Sequence, residues 1–293
     1  MFVEEARVVS ELDHPNIAQI HDFDRDRSGE YYLVLEWVDG LTLAEWRQGY
    51  RERGKHTPWN LTAAIGIEVL QALHAAHERT DAQGRPAPVF HRDVTPQNVM
   101  VSCWGAVKLT DFGLARAMDR SSITKPGFVK GKLAYLAPEL TYEEKPSAQS
   151  DVFSVGVVLW EVLAGEKLFK NKDPLKLMGT IRGMDIPKLD EMRDDLPEGL
   201  LAIIAKALER SPARRYASTR EMARDLAALL RSTDHATDAH VIATSVRWAR
   251  QQITPMRPSE PPTKPFAGGA ALAKATAADE TMPDTSIPLT RRK

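Results

Sequence analysis

The feature that most narrows the fold is an ordered series of short strings. His91-Arg92-Asp93 comes first, then Asn98, Asp111-Phe112-Gly113, Ala137-Pro138-Glu139, and Asp151 in Ser150-Asp151-Val152-Phe153. Singly, each has a plain reading: Asp93 or Asp111 as a turn acid, His91 as a satisfied core histidine. A lone tripeptide match is weak, whereas the joint order and spacing are specific. Stretches 99–102 and 107–110 read as short strands about a turn at Gly105. Asn98 therefore opens a hairpin and Asp111 lies at its far end.

Apolar positions at Val3, Ala6, Val9 and Leu12 give a helical stripe over 3–12, stopped at His14-Pro15-Asn16. Stretches 17–22 and 31–36 read as strands joined by a polar turn, and Gly40 as a break. Helices are expected over 42–52 and 61–78, and a mainly helical pattern runs from 148 to 230, broken by Gly165 and a series of prolines. Composition changes near 232. Residues 255–293 are rich in Pro, Ala and Thr and carry one aromatic, so they bury too little apolar surface to offset ordering entropy. Between these lies 240–252, either a short helix docked on the domain or a free segment.

Of 293 residues, 39 are Lys or Arg and 40 are Asp or Glu, a net charge of −1 that gives no pull toward nucleic acid. The longest apolar run, Val155 to Trp160, is far short of the roughly 20 residues a spanning helix needs. A single cysteine, Cys103, excludes an intrachain disulfide framework and suits a reducing, cytoplasmic setting.

On these motifs, residues 1–231 resemble the eukaryotic-like Ser/Thr protein kinases of bacteria. The resemblance implies an α+β, two-lobed protein-kinase-like fold. Its N-lobe at 1–38 would be truncated, its C-lobe at 39–231 mainly helical, and 232–293 a mostly disordered tail. It implies ATP and Mg²⁺ as cofactors and protein Ser or Thr hydroxyls as acceptors. Phosphoryl transfer is largely positioning and electrostatic stabilisation. Asp93 would accept the hydrogen bond of the acceptor hydroxyl and aim it, while Asn98 and Asp111 would reach Mg²⁺, whose hard oxygen chemistry they suit. Leu35, Glu36, Val38 and Met100 would line the adenine pocket. Val9, Ile20, His91 and Phe112 match the apolar column that joins the lobes of active kinases. Asp151 would hold the backbone of the 91–93 loop, and Glu139 would pair with Arg215.

The same resemblance makes Arg92 a partner for a phosphate on the segment carrying Ser121, Ser122 and Thr124, with autophosphorylation in trans as the expected switch. Glu5 stands where the family carries its helix glutamate. The lysine that pairs with that glutamate, and the Gly-rich loop, have no counterpart before the strand and hinge that Leu33–Gly40 resembles: the first lysine is Lys55, beyond the hinge, and the first glycine is Gly29. Glu5 is thus a structural placeholder. Two readings follow: Met1 is internal to a longer frame, or the chain is a non-catalytic kinase-like binding module. Thr95 and Lys132 depart from the usual Lys and Thr at their positions, while Pro96 favours Ser/Thr specificity.

Overall fold

The computed structural model of the chain describes residues 7–27, 29, 31–112, 132–171 and 173–253. A helical segment, α1, covers residues 7–10 of the expected 3–12 stripe. Strands β1 (Ile20–Arg25) and β2 (Tyr31–Leu35) form a two-stranded sheet. A second sheet has the order β3-β4-β5, built from β3 (Gly40–Thr42), β4 (Val99–Ser102) and β5 (Val107–Leu109). Both of its pairings are antiparallel. Helices α2 (Leu43–Arg51), α3 (Trp59–His77), α4 (Ala148–Ala164), α5 (Pro174–Gly183), α6 (Glu198–Ala207), α7 (Thr219–Arg231) and α8 (Ala239–Gln252) supply most of the remaining mass.

The helix starts follow from local chemistry. Thr42 caps α2 and Glu45 reaches back to the Thr42 N–H, a reciprocal capping box. Ser147 and Ser150 do the same for α4, and Asp173 caps α5 just before Pro174, which has no N–H to leave unpaired. Gly165 ends α4 in the left-handed conformation, at φ 73°. Every residue of α4 from Ser150 to Leu163 is buried. A helix apolar on all sides belongs in a core, and α3 packs against it. Trp46, Trp160, Phe153 and Phe169 are almost fully buried around this pair, each such side chain adding roughly 2–3 kcal/mol of hydrophobic stabilisation.

Two expectations are corrected. The first strand begins at Ile20, not at 17, because residues 16–18 are taken by β5. Leu109 N–H donates to Asn16 C=O and Ala18 N–H to Leu109 C=O, while the Asn16 side-chain amide donates to Glu68 Oε2 at 2.6 Å and to Val107 C=O at 3.0 Å. Gly40 is not a break but the first residue of β3. A Cβ there would lie 2.1 Å from Val101 C=O, so only glycine permits the strand to approach β4 this closely.

The 240–252 stretch, which the sequence left open, is helix α8 docked on α2. The rest of the expected tail, 254–293, lies outside the described residues, as do Glu5 and the segment with Ser121, Ser122 and Thr124. No described helix is long and apolar enough to cross a membrane. The hairpin tip, 24–32, places Arg25 over the Tyr31 ring at 4.3 Å.

Candidate active site

The loop from His91 to Asn98 is held from two sides. Asp151, in the first turn of α4, accepts the N–H groups of His91 at 2.9 Å and Arg92 at 3.0 Å. At its other end, Pro96 C=O accepts the N–H of Ala44 in the first turn of α2. Arg92 has φ 65°, a left-handed conformation that is costly for a long side chain and persists only where its surroundings impose it. The two N–H bonds to one carboxylate provide that constraint.

Asp151 is fully buried with its carboxylate also 2.8 Å from His77 Nε2. Burial alone would raise its pKa, but the bond and charge of His77 and the Arg92 N–H outweigh that and hold the carboxyl below its ordinary range. His77 was not foreseen: it lies 74 residues from its partner, and no local pattern marks it.

His91 Nε2 lies 2.9 Å from Thr110 C=O, and its Nδ1 accepts the Asp93 N–H at 3.2 Å. A carbonyl can only accept, so Nε2 carries the proton and Nδ1 is bare. The ring is therefore neutral. Burial drives its pKa down despite the opposing pull of Asp151 and the Thr110 bond. The ring also packs on Phe112, with centroids 4.5 Å apart.

Asp93 and Asn98 are each 6% exposed and touch directly. The Asn98 side-chain N–H₂ donates to Asp93 C=O at 2.7 Å and to Asp93 Oδ2 at 3.0 Å. With its nitrogen so committed, the Asn98 amide keeps its oxygen for another partner. Asn98 C=O accepts the Thr110 N–H at 2.8 Å, which closes the β4–β5 hairpin and brings Asp111 next to this pair. Asp111 itself has φ 62°, a conformation that aspartate tolerates better than most residues. Asp111 and Phe112 line one pocket with Val9, Ala18, Ile20, Leu35 and Thr110. The column expected from Val9, Ile20, His91 and Phe112 is thus a set of neighbours. Thr95 is 3% exposed, with its C=O accepting the Asn98 N–H.

Glu36 is fixed by its neighbours. Its N–H donates to Gln19 C=O at 2.8 Å, and its carboxylate takes the Gln19 N–H and the Lys108 ammonium, at 2.9 Å. Burial alone would raise its pKa, but these bonds prevail and lower it. Sequence reading missed Lys108, a partly buried residue in the middle of β5, because its partner Glu36 lies 72 positions away. Met100 sits mid-β4 opposite Thr42 and Lys108. Val38 is partly buried and Leu35 is 38% exposed.

Glu139 and Arg215 form a bidentate buried pair, at 2.8 and 2.7 Å. The same guanidinium donates to the C=O groups of Glu209, Arg210 and Gln149 and lies over the Phe153 ring at 4.8 Å. It joins the Ala137-Pro138-Glu139 segment to α4 and to the turn before α7.

The protein kinase domain family matches residues 1–226. The chain belongs to the protein kinase family. Relatives include a tyrosine-protein kinase, MasK, of Myxococcus xanthus, 35% identical over 216 residues (74% of this chain, 33% of the relative). Others are the serine/threonine-protein kinases PknL of Mycobacterium tuberculosis, 37% identical over 226 residues (77% of this chain, 53% of the relative), and PrkC of Bacillus subtilis, 30% identical over 227 residues (77% and 33%). Among solved structures, the kinase domain of Mycobacterium tuberculosis PknI superposes with a TM-score of 0.58 at 25% identity, covering 78% of this chain and 76% of that one. The α+β kinase fold, with small sheets before a mainly helical lobe, is the fold of this chain. The chain spans about a third of the length of several curated relatives it matches. Membership of this family implies ATP as phosphate donor and protein substrates.

Proposed function

We propose that this chain's kinase domain transfers the γ-phosphate of ATP to serine or threonine hydroxyls on proteins. The observation that carries the reading is the convergence of Asp93, Asn98 and Asp111 at the open end of the β4–β5 hairpin. Asp93 is the acceptor for the substrate hydroxyl's hydrogen bond. Its orientation is held by the Asn98 amide, and the strained backbone before it by Asp151.

The residues present fit a divalent cation. The oxygen of the Asn98 amide and the Asp111 carboxylate are hard donors from the two ends of one hairpin, and Mg²⁺ takes few protein ligands, keeping water and phosphate for the rest. Bound there, Mg²⁺ would neutralise charge on the phosphate oxygens.

Glu36 spends its N–H on Gln19, so the hinge group it offers adenine is its carbonyl. Val38 supplies the next backbone contact, Leu35 one wall and Met100 the floor. Glu139, Arg215 and Asp151 are structural. The serine/threonine assignment draws on the names of PknL and PrkC and on Pro96 beside Thr95. Arg92 and the serines and threonine at 121, 122 and 124 form the regulatory reading, with phosphorylation in trans between two copies, in the cytoplasm.

Labelled phosphate from ATP should pass to Ser/Thr peptides and not to Tyr peptides, and Asp93→Asn should abolish it while circular dichroism and melting stay unchanged. Equal transfer by Asp93→Asn, or transfer to tyrosine alone, overturns the corresponding part. Nucleotide binding without transfer by the wild-type protein would favour the binding-module reading.

A further inference from the structure

Helix α8 is fastened at three places along its length: to the β4–β5 turn, to α2, and to the residues that flank β3 and β4. At its start, the Gly105 turn of β4–β5 approaches so closely that a Cβ on Gly105 would lie 1.9 Å from Ala239 C=O. In its middle, Ser245 Oγ accepts the Trp46 Nε1–H at 2.9 Å and lies 2.8 Å from Tyr50 Oη, all three groups being buried. Gly49 of α2 abuts Ala249, whose relative exposure is 0%. At its end, Arg250 reaches the Asp39 carboxylate at 2.9 Å and the Cys103 Sγ at 3.3 Å. One turn earlier, Arg247 donates to Cys103 C=O at 2.7 Å.

Asp39 and Cys103 are the residues just outside the paired ends of β3 and β4. The Cys103 N–H donates to Asp39 C=O at 2.8 Å, and the register continues through Gly40 opposite Ser102 and Thr42 opposite Met100. The two arginines therefore grip both strands at one end of the ladder. One strand descends from the hinge, and the other begins beside Asn98.

We propose that α8 is a strap, and that Arg247 and Arg250 are positioning residues. Through Asp39 and Cys103 they hold the hinge exit and β4 at a fixed spacing. Release of α8 loosens residues 39–42 and, through Met100 and the hinge carbonyls, weakens nucleotide binding. This consequence for nucleotide rests on the proposed function; the mechanical coupling does not. The seat at Ser245 and the two arms are chemically separate, so the arms can be removed with α8 still docked.

The test compares hydrogen exchange and ATP affinity in the full chain. Arg247→Ala with Arg250→Ala should raise exchange across 39–42 and at the Cys103 amide by about two- to fivefold, the scale of losing an exposed ion pair and one charge-assisted bond to a carbonyl. It should weaken ATP binding several-fold with the melting temperature and α8 exchange nearly unchanged. Reversing the pair, Asp39→Arg with Arg250→Asp and Arg247 left in place, should restore protection that Arg250→Asp alone removes; a merely structural helix would show no such rescue. Ala249→Leu, which cannot fit against Gly49, should unseat α8 and reproduce the loosening. If that variant fails to fold, the arm variant decides. Unchanged exchange at 39–42 in the arm variant overturns the strap. A wild-type chain that binds no ATP, but whose 39–42 amides still loosen, keeps the strap and removes the nucleotide reading.

Discussion

Asp151 and His91 lie 60 residues apart in the chain, yet the Asp151 carboxylate accepts the His91 N–H at 2.9 Å inside the core. The other carboxylate oxygen takes the N–H of Arg92, and His77 occupies a further site. Asp151→Asn presents an N–H₂ where at least one N–H must be accepted, leaving a buried donor unpaired. The expected cost is about 2–4 kcal/mol, read as a lowered denaturant midpoint at constant slope. A change under a few tenths would show that the loop is held by other means.

His91 gives stability a pH dependence of known sign. Its folded pKa lies below the ordinary 6.5 because burial disfavours the charged ring. Above that value both states are neutral. As the pH falls through it, the unfolded chain takes up a proton that the folded chain refuses, so stability declines toward the depressed folded value. Chemical denaturation of wild type and His91→Gln between pH 7.5 and 5 should, to about the precision of such curves, show a smaller loss in the variant. Parallel curves would argue that His91 charges in place.

Arg215 is almost fully buried and donates to four carbonyl or carboxylate partners besides stacking on Phe153. Arg215→Ala strands the Glu139 carboxylate in the interior and should cost about 3–5 kcal/mol. Arg215→Lys keeps the charge without the planar fork and should remain clearly destabilised. Thermal and urea unfolding of both variants provide the check.

Ser245 has a one-atom role. Its hydroxyl accepts the Trp46 indole N–H and pairs with the Tyr50 hydroxyl. Ser245→Ala leaves both buried and should cost about 1–3 kcal/mol, with the added tryptophan fluorescence change expected when the indole loses its partner. Unaltered emission and stability would mean that water replaces the hydroxyl.

Asn98→Ala removes one oxygen donor and releases the Asp93 carboxylate from its amide. Transfer should fall steeply, and the Mg²⁺ concentration for half-maximal rate should rise. Loss of rate with no change in Mg²⁺ dependence would assign Asn98 only to orienting Asp93.

Much of this was legible in one dimension because the relevant information is local. The short strand runs at 99–102 and 107–110 and the turn at Gly105 specify the hairpin that carries Asn98 and Asp111. The apolar run from Val155 to Trp160 marks a core helix, which is where α4 lies. Local pattern failed where a strand's partner lies far away. Residues 17–19 have strand character, but whether they pair with β2 or β5 depends on Asn16 reaching Val107 and Glu68. Gly40 read as a break because its meaning, the close approach to Val101, is set across the sheet.

The sequence alone determined the family and singled out Asp93, Asn98 and Asp111 as the candidate site, because their order and spacing match a family pattern that places oxygen groups on a hairpin and its flanking loop. Only the tertiary structure decided which groups hold them there. His77 on Asp151, Lys108 on Glu36 and α8 on the hinge exit are contacts between residues 72 or more positions apart. Side chains that meet only after the chain has collapsed leave no periodicity behind, since each is locally an ordinary polar residue on its own element.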